Sequence, residues 1–103
     1  MNQLAWRNLV SKNVKELRFV LCQTSQSSIG LRNWLNNNFV EIKKNNPDAL
    51  LLIREAHNAE PNILARYDYG VEKRIFCEYA SPEEVEEIVS KLVIESEKIN
   101  SSI

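Results

Sequence analysis

A chain of 103 residues, 44% of them hydrophobic and 26% charged, encloses one core and lacks the length for a second. Two glycines and three prolines argue against a linker or a repeat array, and two cysteines with a lone His57 cannot supply a disulfide framework, a zinc site or an iron–sulfur cluster. The net charge of −1 is unevenly spread: residues 1–54 carry eight Lys/Arg against three Asp/Glu, residues 55–103 five against eleven. A dipolar protein with a pI near 5.9 suits oriented docking on other proteins better than wrapping nucleic acid, which calls for a basic stripe.

Residues 1–15 contain Arg7, Lys12 and Lys15 and no acid, with Leu4, Leu9, Val10 and Val14 in a loose helical stripe. Two readings stand, a short targeting-like segment and an extension that packs Trp6 or Leu9 on the domain. The stretch does not read as a secretory signal. Residues 1–16 are therefore set apart from a domain over 17–98, with 99–103 as a frayed tail.

The organising unit is Leu17 to Ile42. Leu17-Arg18-Phe19-Val20-Leu21 is β-branched and aromatic with one charge, which predicts a central strand covered on both faces. Gln23 to Ser28 is a polar turn in which Ser27 or Ser28 can cap the next helix. In that helix Leu31, Trp34, Leu35, Phe39 and Ile42 share one face. Asn45-Asn46-Pro47-Asp48 stops it, and Leu50-Leu51-Leu52-Ile53 follows as a strand buried on both faces, parallel to the first. Arg54 and Glu55 then leave the apolar block, read first as the solvated exit of that strand and second as functional groups.

After the loop from His57 to Asn62, Ile63 to Tyr69 predicts a third strand, with Ile63, Ala65 and Tyr67 alternating against Leu64 and Arg66. Gly70 turns the chain into a fourth strand, Arg74 to Tyr79. Ser81-Pro82-Glu83-Glu84 has the form of a capping box, and Val85, Ile88, Val89, Leu92 and Val93 stripe the helix it opens. No apolar run reaches the ~18 residues of a membrane span.

A β-α-β unit, then β-β-α, with Cys22 where the first strand enters its turn and Pro61 before the third, resembles the thioredoxin-like fold: α/β, a mixed four-stranded sheet and two main helices. Cys22-Gln23-Thr24-Ser25 has the C-x-x-S spacing of a monothiol site, and Pro61 stands where that family's redox enzymes usually carry a cis proline. Cys22, Ser25 and Pro61 thus read as degenerate redox positions, because the turn has no resolving cysteine and no lysine, and five residues separate Cys22 from Ser28. A monothiol oxidoreductase using Cys22 remains an alternative function.

A narrower resemblance lies in Leu21-Cys22-Gln23 with Ser25, Ser28 and Gly30-Leu31-Arg32, then Phe39 to Pro47, Ile53-Arg54-Glu55, Pro61, and Ala65-Arg66-Tyr67 with Gly70. Over about Leu17 to Leu92 the chain is similar to the small thioredoxin-like accessory subunit of mitochondrial respiratory complex I, a family that shares its domain with certain mitochondrial ribosomal proteins. The resemblance implies a non-catalytic, cofactor-free subunit on the matrix arm, peripheral to the inner membrane, touching core and accessory protein subunits but neither nucleic acid nor the bilayer interior. The ribosomal relatives are typically longer and basic, so that function is the second alternative. Some family members carry a second cysteine directly after the Arg-Glu pair, where this chain has Ala56. Arg32, Arg54, Glu55, Arg66 and Tyr67 match the family pattern and are candidates for structural or partner contacts.

Overall fold

The computed structural model describes the backbone of residues 5–102 and the side chains of residues 6–95. A 3-10 turn over Ala5–Asn8 leads into α1 (Val10–Asn13), then β1 (Glu16–Leu21), α2 (Ile29–Asn45), β2 (Leu50–Glu55), β3 (Asn62–Arg66), β4 (Glu72–Phe76) and α3 (Pro82–Ser102). The strands form one mixed sheet in the order β2-β1-β3-β4, a thioredoxin-like arrangement with two main helices. β1 runs parallel to β2, with Leu17 opposite Leu51 and Phe19 opposite Ile53, and antiparallel to β3. β3 pairs antiparallel with β4.

Strand alternation divides the sheet into two unlike faces. Leu17, Phe19, Leu21, Leu51, Ile63 and Ala65 join Leu31, Trp34, Leu35 and Ile42 of α2 and Val85, Val89, Leu92 and Val93 of α3 in one buried cluster. Trp34 stacks obliquely on Phe19, with ring centroids 5.9 Å apart, so α2 lies on this face. Tyr67, in register with it just past β3, donates its hydroxyl to the Leu92 carbonyl of α3 at 2.6 Å. Both helices therefore cover the same side.

The opposite face carries Glu16, Arg18 and Val20, with Leu52 and Arg54 beside them on β2. This corrects the expectation that the first two strands are covered on both sides. Only Leu51 of β2 is buried; on the outer face Leu50 is 49% exposed and Leu52 half-buried, and Ile53, on the helix side opposite Phe19, is itself 40% exposed toward the strand's end. A run of four apolar residues looks the same in sequence whether its outer face is covered or not. Here β2 is an edge strand, with its outer face open and its helix side covered at Leu51 but not at Ile53.

The N-terminal segment belongs to the core. Trp6, Val10 and Val14 lie in the same buried cluster as the sheet and helices, and Leu9 packs against it. The Asn13 side-chain amide donates to the Val93 carbonyl, and Asn46 Nδ2 donates to the Arg7 carbonyl. The packed unit thus starts before Leu17. Leu4, the first member of the expected stripe, lies outside the described residues.

At the other end α3 runs on past Lys98 to Ser102, a stretch with no glycine or proline to stop it. Its start is the expected capping box. The Glu84 amide donates to Ser81 Oγ, and the Ser81 amide donates to Glu84 Oε1, both at 3.2 Å.

Candidate functional site

The polar turn after β1 is built by its serines and by Arg32. Ser25 Oγ accepts from the Ser27 amide at 3.2 Å, capping a 3-10 turn over Gln26–Ser28 that runs into α2. Neither serine expected to cap α2 does so through its side chain. Ser28 Oγ instead accepts from the Cys22 amide at 3.1 Å, tying the helix start to the strand end. Arg32 Nη1 donates to the carbonyls of Cys22 at 2.7 Å and Ser25 at 3.0 Å, closing the turn on the helix's first coil.

Sequence separation put the Cys22 thiol beyond the reach of anything that could hold a thiolate. The folded turn differs. Hydrogen bonding from the Thr24 backbone, then the Thr24 hydroxyl 3.6 Å from Sγ, then the Asn58 and Ser25 backbones, outweighs burial and brings the thiol down to about 6. Asn58 reaches it from the loop after β2, where its φ of 60° marks a tight bend. Cys22 is 1% exposed, covered by immediate neighbours at the floor of an open hollow of about 320 Å³ that Gln23, Thr24, Glu55, Ala56 and His57 also line. Gln23 Nε2 donates to Glu55 Oε2 across this hollow.

This arrangement offers one acidic thiol without a second beside it. Cys77 is a buried free thiol whose burial pushes it up to about 11, and its amide donates to the Pro61 carbonyl at 2.9 Å. The peptide bond before Pro61 is trans. Ser25, the last position of the C-x-x-S motif, is occupied with capping.

The remaining sequence candidates disperse. Tyr67 is buried, with burial and then Glu95 raising its hydroxyl above the ordinary range. Arg66 forms an exposed cross-strand ion pair with Glu72 at 3.3 Å. Arg54 makes no ion pair among the described residues and lies on the open sheet face.

Sequence reasoning missed a second cluster. Glu86 of α3 accepts from Trp6 Nε1 at 3.0 Å, Trp34 Nε1 at 2.9 Å and Arg7 Nη2 at 2.6 Å. The two indoles stack 6.4 Å apart, and the Arg7 guanidinium lies 4.9 Å over the Trp6 ring. A hollow of about 510 Å³ opens beside them, larger than that at Cys22. Its central carboxylate is already engaged by three donors, so it reads as a structural clasp rather than a reactive site. The available signal was Trp6-Arg7 in an otherwise apolar-periodic stretch, with Glu86 on the edge of the α3 stripe.

Among the described residues no three His, Cys, Asp or Glu side chains converge to hold a metal, and no helix is long and apolar enough to cross a membrane.

Residues 31–82 match the family model described as mitochondrial ribosomal protein L51 / S25 / CI-B8 domain. A Neurospora crassa protein, the NADH-ubiquinone oxidoreductase 10.5 kDa subunit, is 39% identical over 90 residues, 87% of this chain and 96% of that one. The Arabidopsis thaliana NADH dehydrogenase (ubiquinone) 1 alpha subcomplex subunit 2 is 44% identical over 70 residues, 68% of this chain and 72% of its own. The chain belongs to the alpha subcomplex subunit 2 family. The mouse protein of that name is 39% identical over 72 residues, covering 70% of this chain and 73% of its own. The matched domain of this subunit 2 family member runs from the first turn of α2 into the start of α3. It contains the three later strands, while β1 and the Cys22 turn precede it.

Proposed function

We propose that the chain is a non-catalytic accessory subunit of mitochondrial NADH:ubiquinone oxidoreductase. It sits on the matrix arm, peripheral on the matrix side of the inner membrane, and stabilises or helps assemble the NADH-oxidising region through contacts with core and accessory subunits. The observation that carries this reading is the 39% identity to the fungal oxidoreductase subunit over 96% of that protein's length. Two features of the fold support a bracing role. The one acidic thiol is covered and has no partner thiol beside it, and the polar residues of the C-x-x-S turn serve one another and Arg32. Arg32 and Tyr67 act inside the fold, whereas Arg54 remains available for a partner.

The test is native-gel fractionation of mitochondrial membranes in mild detergent, with mass spectrometry of the bands. The chain is expected to co-migrate with NADH dehydrogenase activity. Sedimentation with mitochondrial ribosomes instead would transfer it to the ribosomal branch of the domain family.

A further inference from the structure

The sheet face turned away from α2 and α3 is covered by no other element of the chain among the described residues. Strand alternation brings one arginine from each strand onto it: Arg18, Arg54, Arg66 and Arg74. Only two acids share this face. Glu16 is paired with Arg18 at 2.8 Å, and Glu72 with Arg66 at 3.3 Å. Arg54 and Arg74 make no ion pair among the described residues, which leaves the face with an excess of two positive charges.

Between the arginines the surface is apolar. Leu50 is 49% and Phe76 57% exposed at opposite corners, with half-buried Val20 and Leu52 and buried Leu64 filling the middle. Apolar and aromatic side chains with interspersed arginine form the composition of an interface centre. Four strands of this length present about 300 Å² in projection, enough for the middle of a standard patch of roughly 800 Å².

Charge selects the occupant. Two arginines beyond the two internal ion pairs leave this face complementary to a partner surface that carries carboxylates. A second copy docked about a two-fold axis would set the same positive patch against itself. Nucleic acid would gain two free arginines while burying Leu50 and Phe76 against phosphate, a poor exchange.

We propose that the open sheet face docks a segment of a neighbouring protein subunit in which apolar side chains alternate with aspartate or glutamate, Arg54 and Arg74 pairing with its carboxylates. The proposal rests on the reading above that the chain is a subunit of a larger assembly.

Two measurements on the full chain test it, in cells lacking the native copy. In the first, Arg54→Glu/Arg74→Glu is expected to lower the fraction co-migrating with NADH dehydrogenase by about tenfold. Lys44→Glu/Lys91→Glu, the same charge change on the helix side, stays within about twofold of wild type. The reversed-arginine variant must melt within about 3 °C of wild type for its loss to count, and assembly equal to wild type overturns the proposal. In the second, a photoreactive aromatic amino acid replaces Phe76 in the otherwise native chain. The expected adduct is a peptide of another protein with carboxylates beside apolar residues. An adduct to a second copy, to RNA, or none at all overturns it. If wild type does not co-migrate with the oxidoreductase, the subunit reading fails, while the cross-link still judges this surface in whatever assembly holds the chain.

Discussion

Arg7 and Glu86 form an ion pair of 2.6 Å between the N-terminal turn and α3, with the Arg7 side chain 8% and the Glu86 side chain 24% exposed. The same carboxylate accepts from the indoles of Trp6 and Trp34, so one acid joins three elements. Truncating it leaves the buried Arg7 guanidinium, whose Nη1 already lacks a partner, without its counter-charge and with Asn38 Oδ1 at 3.0 Å as its remaining acceptor, and it strands two indole donors. Glu86→Ala is expected to cost about 3–5 kcal/mol, and Glu86→Gln less because it keeps acceptor oxygen in place. Urea unfolding of the purified chain measures both, and a loss under ~1 kcal/mol for Glu86→Ala would show the clasp to be incidental.

Gly30 follows from how the C-terminal loop meets α2. A Cβ there would sit 1.7 Å from the Ala80 carbonyl oxygen and 2.9 Å from its carbon, both backbone atoms. Helix propensity alone favours alanine over glycine by about 1 kcal/mol in a helix interior. The contact reverses the sign, because the loop held by the Tyr79 amide on the Ser27 carbonyl would have to move. Gly30→Ala is expected to destabilise by about 1–3 kcal/mol or more, read from the denaturant midpoint. A more stable variant would contradict the packing of Ala80 on the helix.

Much of the fold was legible because the signals were local. The α2 stripe, the Ser81–Glu84 capping box and the inward set Ile63, Ala65 and Tyr67 each follow from spacing of 3.6 or 2. What escaped was non-local. Leu50 to Ile53 reads as a doubly covered strand until the sheet order makes it an edge, and Trp6 reads as part of a tail until Glu86, 80 residues on, receives its indole. At Cys22 the sequence showed the thiol, but the amides that acidify it come partly from Asn58, which only the fold brings near. The arginine face was hidden similarly, since each strand contributes one member and only register unites them.

Trp34 and Leu92 occupy the core from opposite helices, 2% and 0% exposed. Leu92 also offers its carbonyl to Tyr67. Leu92→Ala is expected to lose about 2–5 kcal/mol and Trp34→Ala about 3–5 kcal/mol, the tryptophan change also freeing Glu86 of one donor. Calorimetry on the purified variants checks both, and a loss under ~1 kcal/mol would remove the residue from the core.

The two thiols should titrate in opposite directions. The Cys22 thiol is brought down to about 6 by hydrogen bonding chiefly from the Thr24 backbone, and the Cys77 thiol is pushed up to about 11 by burial, each from an ordinary 9.0. Alkylation of Cys22 is expected to rise as pH passes through about 6 and then level, while Cys77 stays slow until strongly alkaline pH. Linkage fixes the sign for stability. A depressed folded-state value means the Cys22 contribution is full above 9.0 and is lost as pH falls through about 6, so stability rises with pH across that window and Cys22→Ser removes the slope. The raised value at Cys77 acts oppositely, its contribution being full below 9.0 and lost as pH rises through about 11. A disulfide between them is not expected. β3 separates β1 from β4, and two inter-strand steps of about 9–10 Å exceed the ~7 Å Cα separation a bridge spans. Assembly should therefore survive Cys22→Ser nearly unchanged. Mass mapping under non-reducing conditions that finds a Cys22–Cys77 peptide, or turnover of a glutathione mixed disulfide that vanishes in Cys22→Ser, would make this chain an enzyme rather than a brace.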